Sequence, residues 1–158
     1  VDQWEWIDGA IWACKKLQDA GYVLAIVTNQ SGIAQGKYTV EDMNKLHEFM
    51  LQEFEAHGVH IDVVAYCPHD RNQDECDCRK PKIGMAKQIE EKIGEIDYVN
   101  SWIVGDKEAD VGFGKNAGTH SALIKSRYWE EGKLSAKPDL IVDSLKDAAE
   151  KVVSPLPN

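Results

Sequence analysis

The stretch GYVLAIVTNQSGIAQGKYT, Gly21 to Thr39, sets a continuous apolar run directly against a polar loop. Val23 to Val27 has strand length and no polar alternation, the pattern of a strand covered on both faces. Upstream, Ile11, Cys14, Leu17 and Tyr22 lie near helical spacing, and Gly21 sits where a left-handed residue would end that helix. Downstream, Thr39 is a suitable N-cap for an amphipathic segment with Met43, Leu46, Met50 and Phe54 on one face, closed by Gly58. Helix, buried strand and helix in succession predict a crossover unit and a parallel sheet.

The rest of the chain repeats that alternation. Ile61 to Tyr66 reads as a second strand, Met85 to Ile93 as a helix, and Trp102 to Val104, Ala122 to Ile124 and Leu140 to Val142 as three more strands. No internal repeat, low-complexity tract or linker interrupts the pattern. The expectation is a single α/β domain over residues 1–158, with helices on both faces of a parallel sheet.

Composition narrows the function classes. The 158 residues are 43% apolar and 28% charged, a globular balance with enough apolar material for a core. A net charge of -9 opposes broad binding to nucleic acid or to an anionic membrane, because phosphates would be repelled over most of the surface. No stretch approaches a membrane span and no basic-then-apolar leader opens the sequence, so a cytoplasmic, monomeric protein without nucleic-acid or membrane partners is expected.

Ligands of parallel α/β sheets bind beyond the carboxyl ends of the strands. Thr28 and Asn29 follow the first predicted strand, and Gly105-Asp106-Lys107 follows the third. A hydroxyl, small residues and free backbone N–H groups suit a phosphoryl group, and a neighbouring carboxylate suits Mg²⁺. Thr28, Asn29 and Gly32 would also make an ordinary turn, and Asp106 would also cap the next helix. Trp129, Glu130 and Glu131 follow a strand too and read either as part of the mouth or as isolated surface residues.

A second signal is Cys67-Pro68-His69 followed by Cys76-Asp77-Cys78. Three thiols and an imidazole within twelve residues satisfy tetrahedral Zn²⁺ with no open position, the mark of a structural site. The loop spanning residues 66–83 is otherwise polar, and a metal clip is a physical reason for it to hold one shape. A disulfide or a group of idle thiols is the alternative. Cys14 stands apart on an apolar helix face and reads as a small core residue. Arg79 and Lys80 follow the last thiol, so a fixed loop would present two cations, one bidentate and one a point charge. Otherwise both are solvated surface charges.

Together, TNQSGIAQGKYT, CPHDRNQDECDCRKP and VGDKEAD, in that order, resemble the haloacid dehalogenase superfamily of phosphatases. Within it they are similar to the zinc-bearing branch that acts on heptose bisphosphate and histidinol phosphate. The likeness runs from Val1 to about Lys146. It implies a Rossmann-like fold, a zinc-binding loop and Mg²⁺-dependent hydrolysis of a small phosphorylated sugar, with histidinol phosphate as the alternative substrate. A zinc-stapled domain that binds phosphate or a partner without turnover is the non-enzymatic alternative. Residue by residue, Thr28 matches the hydroxyl that bonds the transferring phosphoryl group, with Asn29 beside it. Lys80 matches the lysine that neutralises phosphate and nucleophile, and Arg79 a substrate contact. Asp106 matches the Mg²⁺ carboxylate, Asp110 the group that orients that shell, and Lys107 a further substrate contact. Cys67, His69, Cys76 and Cys78 match the zinc ligands.

One departure stands out. In this superfamily the first strand ends in Asp-x-Asp-Gly-Thr, whose first Asp attacks phosphorus and whose second protonates the leaving group, and the sequence lacks that motif. Asp2 follows no apolar strand, and Asp8 leads into a helix. Asp143 does end a strand, but Leu145 stands where the acid/base would be. The sequence begins at Val1 with no initiator Met, so the expectation is a chain whose first strand is missing through truncation, or a degenerate member.

Overall fold

The protein is described by a computed structural model covering residues 3–72 and 75–154; Asp2 lies outside the described residues. Among the described residues, five strands and five α-helices alternate except that β4 is followed by β5 with no helix between them. They are α1 (Ala10–Asp19), β1 (Ala25–Asn29), α2 (Val40–Ala56), β2 (Val63–Cys67), α3 (Gly84–Ile93), β3 (Trp102–Gly105), α4 (Glu108–Ala117), β4 (His120–Ile124), β5 (Leu140–Val142) and α5 (Leu145–Val153). Every strand pairing is parallel, as buried apolar strands separated by helices require.

β1 starts two residues later than its apolar run. Val23 is 59% exposed, and the strand instead takes in Thr28 and Asn29, which stand opposite Tyr66 and Cys67 of β2. The polar residues of the loop are thereby fixed by strand register. Thr39 caps α2 as its sequence position suggests, its hydroxyl accepting the Asp42 N–H at 3.1 Å while the Asp42 carboxylate accepts the Thr39 N–H at 3.0 Å. Ser144 caps α5 in the same manner, accepting from Asp147 N at 3.0 Å, a helix missing from the sequence reading.

Among the described residues the strands form two hydrogen-bonded groups, β1-β2 and β3-β4-β5, as expected of a parallel sheet that lacks its first, central strand. In a parallel pair the backbone groups of alternate residues face the partner. Gln30 N donates to Cys67 O at 2.7 Å and His120 N to Ser101 O at 3.0 Å. By that alternation Ala25, Val27 and Asn29 on β1, and Trp102 and Val104 on β3, turn their backbone groups toward the inner edges of the two groups. Among the described residues no strand pairs with either inner edge.

Both faces are covered. On one, Val27, Val63, Ala65 and Ile103 pack with Met85, Ala86 and Ile89 of α3 and Phe113 of α4, a single cluster fed by both strand groups. On the other, Ile26 and Val64 pack with Ile11 and Cys14 of α1 and Phe54 of α2, while Trp102, Val104, Ala122 and Val142 pack with Ala148 of α5. Cys14 is therefore a half-buried core thiol, its titration pushed upward by burial. The carboxyl ends of β1 and β3 are left open between these layers.

Candidate active site

Lys80 sits at the centre of the open end. Its ammonium donates to Val27 O on the inner edge of β1 at 3.0 Å and to the Asp110 carboxylate at 2.6 Å, and its backbone N–H donates to Asn29 Oδ1 at 3.1 Å. The ion pair is almost sealed, with side chains 12% and 9% exposed, so water does little to screen it. Asp110 is placed by α4: its other carboxylate oxygen accepts the Lys107 N–H at 3.1 Å, which satisfies one donor of the helix's first turn. Gly105 is required for this approach, since a Cβ there would fall 2.1 Å from Asp110 Oδ2. The helix is thus capped by Asp110, and the carboxylate of Asp106 has no hydrogen-bond partner among the described residues. That leaves Asp106 open to a cation.

Thr28 faces the same opening. Its Oγ1 accepts from Gln30 Nε2 at 2.9 Å, and the Tyr38 hydroxyl donates to Gln30 Oε1. An accepting Thr28 oxygen keeps its own proton free to donate outward, the polarity a phosphoryl oxygen needs. Tyr38 reaches Gln30 only because position 32 is glycine; a Cβ on Gly32 would lie 2.2 Å from the Tyr38 ring. Gln30 and Tyr38 were not identified from sequence, because an orienting relay across eight residues leaves no periodic signal.

The thiols come together as their spacing suggests. The donor atoms of Cys67, His69, Cys76 and Cys78 all lie within 4.8 Å of one another, and all four cysteines of the chain are free, which sets the disulfide reading aside. Three sulfurs and one imidazole nitrogen at such separations fit a tetrahedral ion. Burial raises the Cys67 and Cys78 thiols above their ordinary range. Burial also pushes Cys76 upward, but backbone N–H groups of Arg79 and Cys78 and the neighbouring thiols outweigh it and lower that group. Gly84 lets α3 begin against the loop, since a Cβ there would meet Asp77 O at 2.6 Å and Cys78 Cα at 2.7 Å.

Arg79 follows at once, and its Nη1 is shut off from solvent with no protein partner. A buried guanidinium nitrogen without an acceptor costs about 1–3 kcal/mol, which an anionic ligand oxygen would offset. The loop after β1 and the thiol loop are tied by Asp70, which is buried and accepts from Gln35 Nε2 at 2.7 Å and from Asn72 N at 2.8 Å. The Asn72 N–H, then Gln35, hold its carboxyl below the usual range. This link too escaped the sequence reading. Lys107 is exposed at the rim, its ammonium 4.7 Å from the centroid of the Tyr128 ring. The Trp129 indole N–H donates to Ile124 O at 2.9 Å, and Glu130 pairs with Lys133.

Comparison with known proteins places the chain in a family. Residues 77–148 match the model of a family described as HAD-hydrolase-like. The D-glycero-beta-D-manno-heptose-1,7-bisphosphate 7-phosphatase of Haemophilus ducreyi is 38% identical over 154 residues, covering 93% of this chain and 84% of that protein. The Pasteurella multocida protein of the same name is also 38% identical, covering 93% and 83%. Among solved structures, the D,D-heptose 1,7-bisphosphate phosphatase of B. bronchiseptica, complexed with magnesium and phosphate, superposes with a TM-score of 0.84 at 28% identity, covering 96% of this chain and 86% of that one. With 38% identity sustained over most of both chains, the protein belongs to the heptose-1,7-bisphosphate 7-phosphatase family of haloacid dehalogenase-like phosphoric monoester hydrolases.

Proposed function

We propose that this chain provides the phosphate-binding and metal-binding part of a phosphatase that removes the 7-phosphate of D-glycero-D-manno-heptose 1,7-bisphosphate, acting as a cytoplasmic monomer. The carrying observation is the Lys80 ammonium held between Val27 O and Asp110 at the mouth that Thr28 and Asp106 share. Thr28 donates its proton to a phosphoryl oxygen, and Gln30 and Tyr38 hold it in that sense. Lys80 neutralises charge that gathers on the equatorial oxygens, where a fixed cation in a water-poor site counts most. Arg79 donates from its unpartnered nitrogen to a substrate oxygen, and Asn29 fixes the Lys80 backbone. Asp106 would hold Mg²⁺, with Asp110 orienting that shell; bound there, the ion would offset negative charge on the phosphate. Zn²⁺ would be held by Cys67, His69, Cys76 and Cys78, tying their loop to the end of β2 and, through it, setting Arg79 and Lys80.

The family's attacking carboxylate belongs to an Asp-x-Asp motif at the end of a strand, and no strand among the described residues carries that motif. The test is phosphate release, with Mg²⁺, from heptose 1,7-bisphosphate and histidinol phosphate, alongside calorimetric binding of inorganic phosphate. Phosphate binding that is lost in Lys80→Ala supports the site whether or not the chain turns over. Preference for the heptose ester over histidinol phosphate supports the substrate. Absence of phosphate binding in the parent chain, or histidinol phosphate as the better ligand, would overturn the corresponding half.

A further inference from the structure

The turn that carries Asp106 is held from outside. β3 ends at Gly105 and α4 begins at Glu108, so Asp106 and Lys107 make the whole connection between them. Among the described residues no backbone N–H reaches the Asp106 carbonyl. A side chain from elsewhere meets it instead: Ser126 Oγ donates to Asp106 O at 2.6 Å. Ser126 belongs to the segment 125–139, which joins β4 to β5 without a helix or strand of its own. The Tyr128 N–H donates to the same Oγ at 3.2 Å, which fills an acceptor site of the hydroxyl and leaves its proton for Asp106.

The same segment returns to the turn further on. The Glu108 carboxylate accepts the N–H groups of Ser135 at 2.6 Å and Ala136 at 3.1 Å, and the Ser135 hydroxyl as well. Between these ties the Lys107 ammonium stands 4.7 Å from the centroid of the Tyr128 ring. Residues 106, 107 and 108, in succession, thus meet one segment. A connection this long with no regular structure is uncommon in a compact domain unless it serves a function. Asp110 acts on the other side of the turn, through the Lys107 N–H at 3.1 Å, and leaves the Asp106 carbonyl to Ser126.

We propose that Ser126 is a positioning residue for the metal site: by holding the Asp106 carbonyl it sets the direction in which the Asp106 carboxylate leaves the turn, with the Glu108 tie as a second anchor. The proposal rests on the reading of Asp106 as the carboxylate for Mg²⁺. That ion tolerates little departure from octahedral geometry, so a carboxylate that swings with a loose peptide holds it poorly. Groups that orient a metal ligand typically change metal affinity by about 10–100-fold when removed. Ser126 acts through the backbone and not on the carboxylate, which places it at the low end of that range. Phosphate on Thr28, Arg79 and Lys80 does not depend on the tie, since among the described residues none of the three has a hydrogen bond to residues 125–139.

The experiment is calorimetric titration of inorganic phosphate into the chain, with no Mg²⁺ added and then across a series of Mg²⁺ concentrations. Parent, Ser126→Ala, Ser126→Thr and Glu108→Ala are compared. Without Mg²⁺, phosphate affinity should stay within about twofold of the parent in every variant, which also reports that each is folded. The Mg²⁺ concentration that brings half of the gain in phosphate affinity should rise about tenfold in Ser126→Ala and severalfold in Glu108→Ala. Ser126→Thr keeps the hydroxyl and should return close to the parent. Equal losses with and without Mg²⁺ would make Ser126 a merely structural residue, and a parent-like response in Ser126→Ala would show that Asp106 is placed without it; either result overturns the proposal. Threonine that fails to restore the response overturns it too, because the hydroxyl would then not be the agent. A parent chain whose phosphate affinity ignores Mg²⁺ overturns the reading of Asp106 on which the proposal rests, whereas one that binds no phosphate overturns the phosphate site itself.

Discussion

A lysine proposed to meet phosphate has to be kept in one place and out of water, and Lys80 meets both conditions through Asp110. Side-chain exposures of 12% and 9% mean that removing the acid strands a buried ammonium with only Val27 O for company. Breaking such a pair typically costs about 3–5 kcal/mol, far above the value of a surface ion pair. Asp110→Ala is thus expected to lower unfolding stability by about 3 kcal/mol in urea titration, at unchanged m-value. The double variant Lys80→Met/Asp110→Leu should recover at least half of that loss, since neither charge is then left alone. A single-variant cost below about 1 kcal/mol would show that water reaches Lys80 and that the pair is not the anchor described here. Thr28 and Asp106 stand out in the sequence as residue types at strand ends, and Lys80 as a cation following the last thiol. The relay from Tyr38 through Gln30 to Thr28, and the Gln35–Asp70 tie, do not, because they depend on which side chains a folded loop brings together.

The same distinction appears among the elements. Buried parallel strands announce themselves by unbroken apolar runs, and helices by their apolar spacing and caps, so the alternating order of strands and helices could be read in advance. Strand ends could not: pairing with β2 moves β1 two residues onward, because register is set by the partner and not by the local run. α5 was missed although Leu145, Ala148, Ala149 and Val152 stand at helical spacing behind the Ser144 cap. Division into two strand groups was also beyond local pattern, since it concerns which edges meet. It has a measurable consequence in β1. The N–H groups of Ile26 and Thr28 lie in the ladder with β2, whereas those of Val27 and Asn29 face the inner edge, where no described strand pairs with them. Amide hydrogen exchange should therefore alternate along β1, with Val27 and Asn29 faster than Ile26 and Thr28 by at least tenfold, about 1.4 kcal/mol of protection. Uniform protection along the strand would mean that the inner edge is paired, and the division into two groups would be wrong.

At the scale of the whole molecule, the two strand groups are joined by side chains and by the thiol loop more than by backbone pairing. Cys67 ends β2, Cys78 lies against the start of α3, and Arg79 and Lys80 follow immediately, with Lys80 meeting Asn29, Val27 and Asp110. A metal on Cys67, His69, Cys76 and Cys78 thus acts on the phosphate site through a short covalent path. Binding that is confined to the folded state stabilises it by mass action, about 2.7 kcal/mol at a hundredfold excess over the dissociation constant. For a chain of this length that is a rise in Tm of roughly 5–10 °C. Removal of the proposed Zn²⁺ with a strong chelator should reverse that rise and weaken inorganic phosphate binding severalfold, as Arg79 and Lys80 lose their fixed setting. Cys78→Ser should reproduce both effects, and the chelator should add little to it, because one ion underlies both. Chelation that lowers Tm but leaves phosphate affinity intact would confine the metal to stability and detach it from the site. Chelation without effect on either would reduce the cluster to unliganded thiols, and the two strand groups would then depend on the Lys80–Asp110 pair and the shared apolar layer alone.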